Sequence, residues 1–307
     1  MVSQDVAPPP IADLTYRNYD GPKALRPLRW WTLSRSFIRT AMRKKAFWVL
    51  FGLLCMQWML FALFVFINSQ ADQITGGAQR QLRAFNLANT FVDVTDIWIW
   101  VFAIALFIGA GSIAADNRAN AIQVYLSKPL TRADYILGKW AGMVILLYFA
   151  QFVPMLVAVL YAALDQGFGE FLSSYPRLAL VFPLVPLIPA VMHASMLIGI
   201  SALNRTPAIA GIAYTGIFIV WNLLATAIAN APIVADDSRS TLLFLNPRGV
   251  IYGLIFNLVG TRGTPPGFRS ELPLPEWAPL LGLALVLCAG SLALAVLRVR
   301  AVEVVKG

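Results

Sequence analysis

Apolar residues recur along the chain in runs long enough to cross a bilayer, near 46–67, 97–115, 140–163, 178–203, 209–230 and 278–297. About 20 helical residues are needed to cross roughly 30 Å of hydrocarbon. A segment in lipid must satisfy its backbone hydrogen bonds internally, so each run is read as a helix. The pattern predicts an all-α polytopic membrane protein with six spans. In the fourth run Pro183, Pro186 and Pro189 remove backbone donors and should kink or break its outer half. The stretch 242–260 is apolar but interrupted by Asn246, Pro247 and Arg248, leaving pieces too short to cross. It is expected to form a re-entrant or interfacial hairpin on the outer side, with Pro265, Pro266, Pro273 and Pro275 as an extended linker into the last helix.

A different periodicity precedes the first run. On a helical wheel of residues 29–43, Arg29, Thr32, Arg35, Ser36, Arg39 and Arg43 fall within an arc of roughly 140°. Trp30, Trp31, Leu33, Phe37, Ile38, Ala41 and Met42 take the remainder. A basic face opposite a Trp- and Phe-rich face predicts a helix lying in the membrane interface, with Trp30, Trp31, Arg35, Phe37, Arg39 and Arg43 as its membrane-contacting residues. The organisation expected is a tail over 1–28, this helix over 29–45, a six-span domain over 46–297 and a tail over 298–307.

Composition agrees with lipid as the solvent. Hydrophobic residues are 59% of the 307 and charged residues 13%, with mean hydropathy +0.70, against roughly 45–50% and about 25% in soluble domains. The net charge of +9 comes from basic residues beside the apolar runs, which fits anionic headgroups rather than nucleic acid. Seventeen of the 24 Lys and Arg residues lie in the N-terminal segment, in 116–139, at Arg205 and after 297. The positive-inside rule therefore places both termini and the 116–139 loop in the cytoplasm. Residues 1–29 lack the apolar core of a secretory signal.

Candidate chemistry is sparse. Cys55 and Cys288 sit inside apolar runs and form neither a disulfide framework nor a metal-ligand pair. The single histidine, His193, excludes bis-histidine haem. It is read either as an intramembrane functional group or as the donor that satisfies a carbonyl freed by Pro189. Asp93 and Asp96 border the second run and are expected to face water or cap its outer end. No phosphate-cradling G-x-x-x-x-G-K-[ST] loop occurs, since Gly138-Lys139 is followed by Trp140 and no glycine precedes it at the required spacing. The glycines of Gly138 and Gly142 stand at G-x-x-x-G spacing, suited to close helix packing within one protomer or across a dimer.

The loop between the second and third runs is the most informative stretch. Ile122, Tyr125 and Leu126 fall at i, i+3 and i+4, so 117–126 is predicted to be a short helix with one apolar stripe. Either a partner protein or the chain's own N-terminal helix and the headgroup layer would bury it. Ser127, Lys128 and Pro129 stop that helix, and Thr131 with Asp134 is a capping-box variant that starts a helix running into the third span.

The series Gly109, Ile113, Asp116, Ala121-Ile122, Leu126-Ser127-Lys128-Pro129-Leu130, Thr131-Arg132, Ile136 and Gly138-Lys139 resembles the cytoplasmic loop of ABC-2-type permeases, the membrane subunits of bacterial ABC exporters. In that family the loop reads as an acidic residue, Gly-Thr, a Leu-Ser-x-Pro and Ser/Thr-Arg turn, then Gly-Lys or Ala-Lys. Here the acidic residue is Asp116 where Glu is usual, and Asn120-Ala121 stands in place of Gly-Thr.

The resemblance implies that 116–127 is a coupling helix docking on a separate ABC ATPase, with Asp116, Ile122, Tyr125, Leu126, Ser127, Pro129, Thr131, Arg132 and Lys139 carrying the contact. The helix at 29–43 would brace it. It further implies a pair of permeases, a bacterial inner-membrane location, and ATP and Mg bound by the partner, with no cofactor on this chain. The competing reading is a permease-like scaffold or accessory subunit of another membrane complex, without transport.

Overall fold

The computed structural model describes residues 29–74, 87–126, 130–231, 244–261 and 276–299. Among them all regular structure is helical. Six helical stretches are long and apolar enough to cross a membrane: Lys45–Ala71, Leu87–Arg118, Arg132–Gln166, Pro176–Leu203, Pro207–Ala229 and Trp277–Arg298. Each contains or overlaps one of the six predicted runs.

Over an apolar stretch of 18 residues in each, the second, third and fourth spans bury half or more, whereas the first, fifth and sixth bury less than a third. The third span packs against the first and fourth, and the fourth against the sixth and second. At the fourth–sixth crossing a Cβ on Gly199 would lie 2.7 Å from the Ser291 carbonyl oxygen. Only glycine permits that approach, and close approach is what drives helix association where lipid is as apolar as leucine.

The fourth span breaks where its prolines predict. An α-helix over Pro176–Val181 gives way to a 3-10 turn over Phe182–Leu184, and a second α-helix runs over Leu187–Leu203. The Tyr148 hydroxyl donates to the Pro183 carbonyl at 3.1 Å, occupying an acceptor in the distorted segment. His193 does not serve such a carbonyl. It is 2% exposed, and its Nδ1 pairs with the Tyr214 hydroxyl while its ring stands 4.7 Å from that of Phe218. Tyr214 and Phe218 come from the fifth span, which turns π-helical over Gly216–Val220. Standing four residues apart, the two rings share one face of the helix and both meet the histidine.

The second span departs most from expectation. It begins at Leu87 rather than near 97 and is interrupted between helices over Leu87–Thr95 and Ile99–Gly109. Asp96, expected at a wetted end, lies in the interruption with its side chain 9% exposed. Its carboxylate accepts from the Arg248 guanidinium at 2.7 Å, and that guanidinium also sits 5.2 Å from the Trp98 ring centre. A buried carboxylate persists because it is paired. Asp93 is exposed, as expected.

Asn246, Pro247 and Arg248 start a helix. The Asn246 Oδ1 accepts from the Gly249 amide at 2.8 Å, Pro247 takes the first turn, and the helix runs Pro247–Val259. This is the N-cap and N1 arrangement that leaves the fewest orphan amides. It ends at Gly260, φ 77°, against which the Arg177 guanidinium packs while donating to the carbonyls of Leu258 and Asn257 at 3.0 and 2.6 Å. A cation on the last carbonyls also complements the helix dipole. Of the first limb of the expected hairpin only Phe244 and Leu245 are described, and the proline linker lies outside the described residues.

Candidate functional site

The third span begins at Arg132, where its cap predicts. The Thr131 hydroxyl accepts from the Asp134 amide at 3.0 Å, and the Asp134 carboxylate accepts from the Thr131 amide at 3.1 Å. With 35 residues this helix is about 52 Å long, some 20 Å more than the hydrocarbon needs. It therefore carries a platform beyond the apolar layer. Replacing Thr131 with Ala should lower stability by about 1 kcal/mol, read as a small drop in thermal midpoint. A drop as large as that of a buried-charge variant would refute a purely local cap.

The N-terminal helix, Arg29–Met42, docks on that platform. Ser34 near its middle and Ala41 near its end are buried, Leu33, Phe37 and Ile38 are half-buried, and the Arg35 and Arg39 side chains are exposed. Contact is close because the opposing residues are Gly138 and Gly142. A Cβ on Gly138 would lie 2.7 Å from the Trp30 carbonyl oxygen, and one on Gly142 would lie 3.0 Å from the Ser34 Cα. The Ser34 hydroxyl donates to the Gly138 carbonyl at 2.7 Å. The G-x-x-x-G pair is thus used inside one protomer.

The loop between the second and third spans is not one helix. Two short helices, Ala114–Arg118 and Ala121–Leu126, meet at Asn120, whose φ is 52°. Asparagine tolerates the left-handed region better than most residues, so Asn120 occupies the bend where the family pattern has glycine. Of the predicted stripe, Ile122 is 8% exposed and Tyr125 packs 5.4 Å from the Tyr135 ring. Tyr135 of the third span, rather than the N-terminal helix, is thus the contact seen for this stripe.

What anchors this loop is polar. The Tyr135 hydroxyl donates to Asp116 Oδ2 at 2.6 Å, and the Lys139 ammonium donates to the same carboxylate and to the Ser112 carbonyl. The ammonium also lies 5.0 Å from the centre of the Tyr135 ring. Burial and the nearby Asp116 carboxylate push the Tyr125 phenol up, so it stays protonated at neutral pH. On the other side, the Ser201 hydroxyl accepts from the Ile113 and Ala114 amides at 3.0 and 2.9 Å and donates to the Ala110 carbonyl. The Asn117 amide group reaches the carbonyls of Ala202 and Asn204. The break after Gly109 exposes these backbone groups, and the end of the fourth span satisfies them.

Of the residues expected to carry partner contact, Asp116, Tyr125 and Lys139 converge, Ile122 is buried beside them, and Thr131 and Arg132 are exposed at the helix start. Ser127, Pro129 and the Leu126 side chain lie outside what is described. Of the interfacial set, Trp31, Arg35, Arg39 and Arg43 are exposed, and Trp30 and Phe37 are half-buried. Tyr135, Ser201, Asn117 and Ser34 were not anticipated. The only sequence signal for them is that each is a polar residue beside or within an apolar stretch.

The ABC-2 family transporter protein profile matches residues 31–303. No curated protein matches the chain significantly. The chain belongs to the ABC-2 family of transporter proteins and is a multi-pass membrane subunit of an ABC transporter.

Proposed function

We propose that this ABC-2 family chain is the transmembrane half of an exporter driven by a separate ABC ATPase, which supplies the ATP and magnesium sites. It would work with a second permease copy or paralogue in the bacterial inner membrane, with both termini in the cytoplasm. The segment Ala114–Leu126 is the part of this chain that receives the ATPase's motion. The observation that carries this reading is its attachment at both sides. Asp116 ties it to Tyr135 and Lys139 of the third span, and Asn117 to the end of the fourth.

A push on a loop held only by its ends would be absorbed by backbone rotation. Here the loop shares buried polar contacts with two spans, so a displacement must carry them or break those contacts. The docked N-terminal helix adds a third rigid element to the same platform. The distribution of Lys and Arg supports the proposed orientation.

The test is co-expression with the cognate ATPase. Replacing Leu126, Pro129 and Arg132 together is expected to abolish association and the permease-dependent increase in ATP hydrolysis. Unchanged association and turnover would overturn the coupling role, and stable assembly with something other than an ATPase would favour a scaffold.

A further inference from the structure

We infer that a small cavity inside the bundle is a site for an ordered water molecule, held by Asp96 of the second span, Gln151 of the third and His193 of the fourth. The cavity measures about 30 Å³, and these three residues line it along with Arg248, Val101 and Phe218 among others. One water needs roughly 10–15 Å³ of such space and two to four polar partners. The site therefore holds one, with room for a second at most.

Each of the three residues has one polar atom left over. Asp96 gives its Oδ2 to the Arg248 guanidinium, and its Oδ1 has no hydrogen-bond partner among the described residues. Gln151 donates through Nε2 to the Leu147 carbonyl of its own helix at 3.1 Å, which leaves its Oε1. His193 meets Tyr214 through Nδ1, which leaves its Nε2. Gln151 is only 7% exposed and His193 2%, yet none of the three atoms is sealed from water. A polar group unmet at such depth is costly, and the cavity is where a partner fits.

The leftover atoms select the occupant. No carboxylate bonds His193 among the described residues, and an isolated imidazolium is too costly to bury, so the ring is neutral. The Tyr214 hydroxyl has no other acceptor there and donates to Nδ1, which puts the single ring proton on Nε2. One donor, His193 Nε2, and two acceptors, Asp96 Oδ1 and Gln151 Oε1, thus border the cavity. Water accepts once and donates twice to match them. A sodium or ammonium ion would instead meet an N–H and the Arg248 guanidinium, and an anion would meet a carboxylate and an amide oxygen. The water ties the interruption in the second span to the third and fourth spans, through bonds nearly as favourable in enthalpy as direct ones.

His193 is the single histidine of the chain, so isotope labelling of histidine nitrogen gives one imidazole to read. The experiment is magic-angle-spinning NMR of the full chain, purified through a histidine-free tag and reconstituted in vesicles of phosphatidylethanolamine and phosphatidylglycerol. Wild type should show a proton on Nε2 and none on Nδ1, with magnetisation passing from water to Nε2. Gln151→Met keeps the length of the side chain and removes the acceptor. It should abolish the transfer and leave the tautomer unchanged, because a water with one hydrogen unmatched in apolar surroundings is no longer held. A proton on Nδ1 or on both nitrogens, no transfer in wild type, or transfer that survives in Gln151→Met would overturn the site. So would a wild-type spectrum that shifts when sodium chloride replaces choline chloride, which would put a cation in the cavity. The wild-type outcomes decide even if the variant fails to fold.

Discussion

Replacing Lys139 with methionine is expected to destabilise the protein by about 3 kcal/mol, the cost of removing one partner from a buried ion pair. Methionine keeps the length of the stem and its packing against Tyr125 and Tyr135, and removes only the ammonium. Asp116 is then left with the Tyr135 hydroxyl at 2.6 Å in a site where its side chain is 19% exposed. The Ser112 carbonyl loses its donor as well. At a fixed scan rate the apparent unfolding midpoint should fall by roughly 5–10 °C.

Asp116→Asn in the same chain removes the orphaned charge while keeping an acceptor for Tyr135. The double variant should therefore be more stable than Lys139→Met alone. That non-additivity is the expected signature of two groups in one network. Strict additivity, or a Lys139→Met midpoint equal to wild type, would show that the pair does not hold the loop.

The limits of sequence reading show in the same residues. The six runs, the cap at Thr131 and Asp134, and the proline break in the fourth span were legible because each rests on local chemistry. Hydrophobic length, a side chain reaching its own backbone three residues on, and missing amides all act within one turn or one helix. Asp96 was misplaced for the opposite reason. An unpaired carboxylate is too costly to bury, so a charge beside an apolar run reads as its end. The partner that reverses that reading, Arg248, is 152 residues away.

Ser34 and Gly138 are 104 residues apart, and Ser201 and Ile113 are 88 apart. A serine in an apolar stretch announces that it needs a partner but not which one. Asn120 is an intermediate case. Its place in the glycine position of the family pattern was visible, and the φ of 52° gives that substitution its physical sense. Asp116, Tyr125 and Lys139 were named together by the resemblance as expected contact residues. That Asp116, Tyr125 and Lys139 meet around Tyr135 depends on the third span starting at Arg132, because this brings Tyr135 and Lys139 onto one face at i and i+4.

Gly138→Ile should release the N-terminal helix from the third span without unfolding the bundle. The new Cβ would stand 2.7 Å from both the Trp30 carbonyl oxygen and the Leu33 Cβ. A side chain could rotate away, but a backbone carbonyl inside a helix cannot, so relief requires the helices to separate. Separation breaks the Ser34 bond to the Gly138 carbonyl and exposes Ser34 and Ala41, which are now 0% and 4% exposed.

Trypsin reports this directly, because Arg35 and Arg39 are already solvent-exposed and are protected only by their helical backbone. Local opening controls such cleavage, so digestion at these sites should accelerate at least tenfold, the factor given by about 1.4 kcal/mol, within the usual cost of overpacking. Ser34→Ala separates the steric effect from the hydrogen bond and should accelerate cleavage only about fivefold, for a bond worth about 1 kcal/mol. If Gly138→Ile leaves the digestion rate unchanged, the helix is not held by this contact. If it unfolds the six spans together, the helix is part of their cooperative core rather than a separable brace. If the brace transmits ATPase motion, Gly138→Ile should also lower stimulated ATP hydrolysis while leaving the membrane spans folded.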